Sequence, residues 1–191
     1  MNCETPSRLY LDLERRAAML ARLIRGTPGF LDALRLWLGF ELLRLSRAPD
    51  AEHVLDGCDP LLLDLAPGSR VLRREDVLVA APGGPCFAEI AALIHTASLR
   101  PTEKAALRDA SVPVSTILRD TQRSTHYVCH TPGLPEDTQP ALRSRATLLR
   151  AGRPVALLWE TVWWRTVSHR DTVPARLPAH LHTGHGSTAL A

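Results

Sequence analysis

Charged residues occur in two segments that are predicted to be strands. Glu160 lies in the run from Val155 to Trp164, which is otherwise almost entirely apolar. An ionised side chain in such a strand is costly unless it has a partner, so Glu160 is a candidate for acid–base chemistry or ligand contact. Arg73 and Arg74 follow one another in a second strand, where alternation lets only one of them face a pocket. A salt bridge between an arginine and a glutamate on neighbouring strands is the structural alternative.

Two histidine patterns resemble metal-binding motifs. The first is His180-x-His182-x-x-His185, in a stretch rich in Gly and Pro, and the second is His126-x-x-Cys129-His130. We expect neither to bind a metal, and we predict no cofactor. The four cysteines lie far apart without a CxxC pair, which favours reduced thiols over a zinc or redox motif.

The first forty residues predict helices. Apolar residues recur at three- and four-residue steps from Ser7 to Arg25, which is typical of an amphipathic helix. A second helix is expected from Gly29 to Leu38, with Gly39 as its C-terminal stop. The pattern then changes to a short strand over Phe40 to Ser46, followed by a long connection from Arg47 to Pro67 with one helical turn.

The remaining sequence predicts two hairpins. One joins residues 69–80 to 86–94 through Pro82-Gly83-Gly84-Pro85, and the other joins 143–150 to 154–164 through Ala151-Gly152-Arg153. Between them we expect a short helix over residues 101–110, while residues 113–127 fit either a strand or a helical turn. Helices first and hairpins later predict an α+β domain with a mostly antiparallel sheet flanked by helices. The domain is expected over residues 1–171, with 172–191 as a flexible tail.

The composition favours one soluble domain. The chain has 191 residues, of which 45% are apolar and 23% charged, as expected for a single packed core. The net charge of +3 is spread along the chain without a basic stripe, which argues against nucleic-acid binding. Acidic residues precede any sustained apolar run, and no segment is apolar enough to cross a membrane. We therefore expect a cytoplasmic protein, monomeric or homodimeric.

Several of these segments together resemble the chorismate pyruvate-lyase (4-hydroxybenzoate synthase) family, with spacing closer to its actinobacterial branch. The resemblance runs from about Thr27 to Arg165. The family's V-L-x-R-[EY] element corresponds to residues 71–75, its basic strand to Arg145, its Gly-x-Pro turn to residues 152–154, and its apolar strand ending in Thr-Glu to Trp159-Glu160. The resemblance implies a chorismate lyase-like fold.

The resemblance also implies a reaction and a site. The family eliminates pyruvate from chorismate without a cofactor to give 4-hydroxybenzoate, so the chain is expected to be a carbon–oxygen lyase of biosynthesis or a repurposed relative acting on another small carboxylic acid. Arg74 and Glu160 would be the catalytic pair, Arg74 holding the ring carboxylate through its planar fork and Glu160 contacting the ring hydroxyl. The other expected substrate-binding residues are Val114, Ser115 and Arg145. The expected partner is an aromatic or cyclic carboxylic acid, with no nucleic acid or membrane.

Two departures from the family and one rival interpretation remain open. Ser115 replaces a glycine whose backbone amide helps to bind the carboxylate, and Asp76 replaces an apolar residue two positions after Arg74. Both changes allow a different acid substrate. The rival is a non-catalytic small-molecule-binding protein, since the same fold resembles the effector-binding domains of some bacterial transcription regulators. Those domains follow a winged helix-turn-helix, for which the 26 residues before Thr27 are too few.

Overall fold

The computed structural model describes residues 8–131 and 139–169 of the chain. These residues form six α-helices, one short 3-10 helix (Thr96–Ser98) and seven strands. The helices are α1 (Arg8–Gly26), α2 (Phe30–Leu38), α3 (Asp59–Leu63), α4 (Pro101–Leu107), α5 (Val114–Ile117) and α6 (Trp164–Ser168), and the strands are β1 (Leu43–Ser46), β2 (Ala51–Val54), β3 (Arg70–Val79), β4 (Cys86–Ile94), β5 (Gln122–His130), β6 (Pro140–Arg150) and β7 (Arg153–Trp163).

All strands belong to one antiparallel sheet in the order β1-β3-β4-β7-β6-β5, with β2 paired to the same strand, β3, as β1. The two predicted hairpins, β3–β4 and β6–β7, meet where β4 pairs with β7. The predicted α+β fold with a mostly antiparallel sheet flanked by helices is confirmed.

Alternation along the strands gives the sheet two faces, and the helices cover them unequally. On one face α1, α2 and α6 pack against Leu78, Ala88, Leu142 and Val162. Farther along the same face α4 and α5 cover a second cluster, which includes Ile94, Leu148 and Ala156. The other face carries a smaller cluster under α3, formed by Leu55, Leu63, Val71, Leu93 and Leu157. We call the first face the helical face and the second the α3 face.

The early helices follow their apolar spacing. Leu20 and Ile24, one turn apart on α1, are fully buried against the sheet. Gly39 ends α2 in the left-handed conformation, with φ 77°, and its N–H donates to Arg35 O. This stop is followed by residues that do not join the sheet, so the strand begins at Leu43 rather than at Phe40 as predicted.

The least regular segments differ most from expectation. The predicted connection from Arg47 to Pro67 contains β2 as well as the helical turn α3. The segment 113–127, which fits either a strand or a helical turn, contains the turn α5 and then the start of β5. The segment predicted as a tail, with His180, His182 and His185, lies outside the described residues. Among the described helices, none is long and apolar enough to span a bilayer.

Candidate ligand-binding site

A cavity of about 820 Å³ lies on the helical face, between the sheet, the start of α2 and helix α5. It falls where the two hydrophobic clusters of that face meet. Its apolar lining comes from helices and strands alike: Phe30, Leu31, Leu78, Ile90, Val114, Leu118, Leu148 and Leu158. Cavities of this size with mostly apolar walls and a few polar groups are typical of small-molecule sites.

The sheet register places a polar row beneath the cavity. Asp76 on β3 pairs with Ile90 on β4, Ile90 pairs with Glu160 on β7, and Glu160 pairs with Ser144 on β6. Residues opposite one another in neighbouring strands point to the same face, so all four point to the helical face. The row thus brings two carboxylates to the floor of one cavity.

Glu160 lies at one end of this row in a buried hydrogen-bonded group. Its Oε2 accepts from Arg123 Nη2 at 2.6 Å and from the Ser144 hydroxyl. The Glu160 side chain is 0% exposed and that of Arg123 is 5% exposed. Burial raises the pKa of Glu160, and the Arg123 charge and the two hydrogen bonds oppose this rise. Glu160 Oε1 has no hydrogen-bond partner among the described residues.

Asp76 lies at the other end of the row with its own arginine. Its Oδ1 is 2.7 Å from Arg44 Nη1, and Arg44 Nη2 donates to Ala110 O at 2.6 Å. Burial raises the pKa of Asp76, which the Arg44 hydrogen bond and charge oppose. Both residues line the cavity. Asp76, noted from sequence only as a departure from the family, is therefore part of the cavity wall.

Arg74, the predicted carboxylate-binding residue, is buried outside the cavity lining. Its guanidinium donates to Asp50 Oδ1 at 2.9 Å and to Asp50 Oδ2 at 2.6 Å. It also donates to Leu107 O at 2.5 Å and to Val112 O at 3.0 Å. These acceptors engage all three of its nitrogens, so the structure places Arg74 between the β1–β2 connection and the α4–α5 loop rather than in the cavity lining.

The other predicted binding residues separate in the same way. Val114 and Ser115 line the cavity from α5. Arg145 lies on the α3 face, with Nη2 2.9 Å from Asp59 Oδ1 and its guanidinium 4.6 Å from the centre of the Trp159 ring. The structure therefore brings Glu160, Val114 and Ser115 together and leaves Arg74 and Arg145 elsewhere.

Sequence reasoning missed Arg44 and Arg123, the cavity arginines that hold Asp76 and Glu160. Arg123 lies in the segment whose structure remained undecided, and Arg44 lies in a four-residue strand at the edge of the sheet. Neither segment has a pattern that would have identified them. The second histidine pattern does not converge, because His126 contacts Thr147 on one side of the sheet and His130 faces Glu14 of α1 on the other.

The fold is shared with solved structures of bacterial regulators. PhnF from Mycobacterium smegmatis gives a TM-score of 0.53 at 14% identity, covering 80% of this chain and 69% of PhnF. The effector domain of PhnF gives 0.50 at 13% identity, covering 71% and 88%. A protein described as a GntR-family transcriptional regulator gives 0.51 at 19% identity, covering 72% of this chain but 62% of that protein. This chain thus spans less than two thirds of that regulator.

No family model and no curated protein matches the chain. At the identities above, the structural similarity establishes the fold and assigns no activity to this chain. The prediction that the chain is a carbon–oxygen lyase is contradicted, because the similar structures named above are a GntR-family transcriptional regulator, PhnF and the effector domain of PhnF, and none of them is described as a lyase.

Proposed function

We propose that this chain is a non-catalytic domain that binds a small organic acid in the cavity of the helical face. The observation that carries the proposal is a cavity of about 820 Å³ whose floor holds the buried Arg123–Glu160 pair. Buried ion pairs are costly to desolvate, and replacing them by apolar residues is often neutral or stabilising. A role in ligand recognition would give this costly pair a purpose. The effector domain of PhnF has the same fold, which supports binding rather than catalysis.

The charges around the cavity favour an anion. Its lining includes five arginines and three carboxylates. Arg35, Arg44 and Arg123 are paired with carboxylates, whereas Arg25 and Arg119 form no ion pair with any residue of the described ranges. A carboxylate of the ligand would therefore lie toward Arg25 and Arg119, and an aromatic or cyclic body would pack against the apolar wall.

Glu160 would contact a polar substituent of the ligand. Its Oε1, which has no hydrogen bond within residues 8–131 and 139–169, would accept from a ligand hydroxyl. A ligand carboxylate at the same place would be repelled by an ionised Glu160. The proposed ligand thus carries its acid group away from the hydroxyl that Glu160 contacts.

Thermal unfolding with a panel of benzoate derivatives tests the proposal. A ligand present at 100 times its Kd stabilises the folded state by about 2.7 kcal/mol, which should raise the Tm by several degrees. The bound acid should be recovered unchanged by chromatography after prolonged incubation. Conversion of the acid would contradict a non-catalytic role.

A pair of matched substitutions locates the binding site. Ser115→Trp places a large ring in the cavity from an exposed position of α5 and should abolish the Tm shift. Ser111→Trp makes the same change at an exposed position outside the lining and should leave the shift intact. Equal binding by both variants would show that the ligand binds elsewhere.

A further inference from the structure

The polar row has two ends of similar construction. At one end Glu160 is paired with Arg123 from β5, and at the other Asp76 is paired with Arg44 from β1. Ile90 lies between them on β4. Neighbouring strands are about 4.8 Å apart, so the two acidic positions are separated by roughly 10 Å across an apolar residue. We call these ends the Glu160 pole and the Asp76 pole.

Each pole combines a hydrogen-bond donor with an acceptor. Within the part of the chain that the structure describes, neither Arg123 Nε nor Arg44 Nε has a hydrogen-bond partner. Each guanidinium is already neutralised by its carboxylate, so neither pole carries a net charge to attract an anion. A hydroxyl group can accept from a guanidinium and donate to a carboxylate at the same time. A carboxylate can only accept, and it would lie beside an existing negative charge.

We propose that the cavity selects a ring that carries hydroxyl groups at two opposite positions. One hydroxyl binds at the Glu160 pole and the other at the Asp76 pole, and the acid group of the ligand points to Arg25 and Arg119. This inference rests on the proposed function and specifies its ligand class as a dihydroxylated cyclic acid. Asp76 is then a specificity-determining residue, which disfavours ligands with a second carboxylate at that end.

The wild-type protein tests the inference without any substitution. The probe is 2,5-dihydroxybenzoate, whose hydroxyls lie opposite one another on the ring, and the isomer control is 2,3-dihydroxybenzoate, whose hydroxyls are adjacent. Calorimetry should show that the 2,5-isomer binds about five- to tenfold more tightly than the 2,3-isomer or 3-hydroxybenzoate, the effect expected of one additional hydrogen-bonded group. Equal affinities for the three acids would overturn the two-pole inference and leave the proposed function standing.

Asp76→Asn should reverse the selectivity. The amide keeps the shape of the side chain but leaves Arg44 with an uncompensated positive charge, which suits a carboxylate. 4-Hydroxybenzene-1,3-dicarboxylate, in which a carboxylate replaces one of the two opposite hydroxyls of 2,5-dihydroxybenzoate, should bind the variant about tenfold more tightly than the wild type. By contrast, 2,5-dihydroxybenzoate should bind the variant more weakly. Structural damage would weaken both ligands, so a gain for the dicarboxylate cannot come from a loss of folding.

Glu75→Gln is the matched control, since Glu75 precedes Asp76 on β3 but points to the α3 face, where it pairs with Arg73. It should leave both affinities unchanged. A dicarboxylate affinity in Asp76→Asn no higher than in Glu75→Gln would overturn the role of Asp76. Failure of every benzoate to bind the wild type would overturn the proposed function and this inference with it.

Discussion

In the described part of the chain, several arginines are held beside carboxylates in largely buried surroundings. Four of these ion pairs are Arg44–Asp76, Arg74–Asp50, Arg123–Glu160 and Arg145–Asp59. The pairs of Arg44 and Arg123 line the cavity. The pair of Arg74 lies between the β1–β2 connection and the α4–α5 loop, and the pair of Arg145 lies on the α3 face. Removing one member of such a pair leaves the other charge buried without compensation, which costs about 3–5 kcal/mol. Breaking any one of these pairs should therefore destabilise the fold, and the two pairs in the lining set the polarity of the cavity.

We expect Arg74 to have a structural role. Arg74→Ala removes the partner of Asp50 and of the Leu107 and Val112 carbonyls, so the free energy of unfolding should fall by about 3–5 kcal/mol in urea titrations. Arg73→Ala is the matched control, because Arg73 is exposed on the other face and its ion pair with Glu75 should contribute about 1 kcal/mol or less. Equal losses in the two variants would contradict a structural role for Arg74.

We expect the protonation state of Glu160 to affect the stability of the fold. Since burial raises its pKa above the ordinary value of about 4.3, the folded state binds the proton more tightly than the unfolded chain. This contribution to stability is fully present below that value and is lost as the pH rises through the folded-state pKa. The unfolding free energy of wild type minus that of Glu160→Gln should therefore decrease with rising pH over this window, measured by urea unfolding.

Ser144 supplies a second variant for the same prediction. Its hydroxyl donates to Glu160 Oε2 and so lowers the pKa of that carboxyl. In Ser144→Ala the loss of stability should move to higher pH. A free-energy difference between wild type and Glu160→Gln that increases with pH would show that the Arg123 charge outweighs burial.

For single residues, the sequence predicts the face of the strand to which a side chain points better than it predicts the residue with which that side chain pairs. Alternation correctly separates Arg73 from Arg74, and the apolar run around Glu160 correctly indicates that a charge there needs a partner. The partners themselves are distant in sequence: Asp50 is 24 residues from Arg74, and Arg123 is 37 residues from Glu160. No local pattern encodes such pairs, because they depend on which strands become neighbours.

Elements with strong local signals formed where the sequence predicted them. The spacing of apolar residues in α1 and the glycine that ends α2 are local features, and so are the two hairpins. The short elements β2 and α3 were not separated within their connection, because four or five residues are too few for a periodic pattern. They form because β3 offers an edge and because Leu55 and Leu63 bury against the sheet.

The β6–β7 turn has a backbone conformation that favours asparagine over alanine at its first position. Ala151 and Gly152 connect the strands with φ of 48° and 78°, a pair of positive values that type I′ hairpin turns require. Alanine is strained in this region, whereas asparagine tolerates it, so Ala151→Asn should stabilise the protein by about 0.5–1 kcal/mol in urea unfolding. Ala66→Asn is the control, since Ala66 is exposed and has no positive φ. A gain at Ala66 as large as at Ala151 would refute the turn argument.

At the scale of the whole molecule, the cavity depends on how the hairpins meet. The pairing of β4 with β7 places Ile90 beside Glu160, and the outer strands β1 and β5 then supply Arg44 and Arg123 from opposite edges. Sequence analysis predicted both hairpins and the α+β class, but strand order is decided by long-range packing and was not predicted. The cavity could not be located from sequence because its lining comes from both edges of the sheet and from helices far apart in the chain.

The last prediction concerns the extent of the domain, which we propose is contained in residues 1–171. The described sheet, its covering helices and the described part of the cavity lining end at residue 169, just before this boundary. A chain ending at residue 171 should therefore keep its Tm within about 2 °C of the full chain, corresponding to less than about 0.5–1 kcal/mol, and should bind the same acids. Deletion of residues 1–26 is the opposite control, because it removes the fully buried Leu20 and Ile24, each worth about 2–5 kcal/mol. Loss of ligand binding in the chain ending at residue 171, with its Tm unchanged, would show that residues 172–191 contribute to the site.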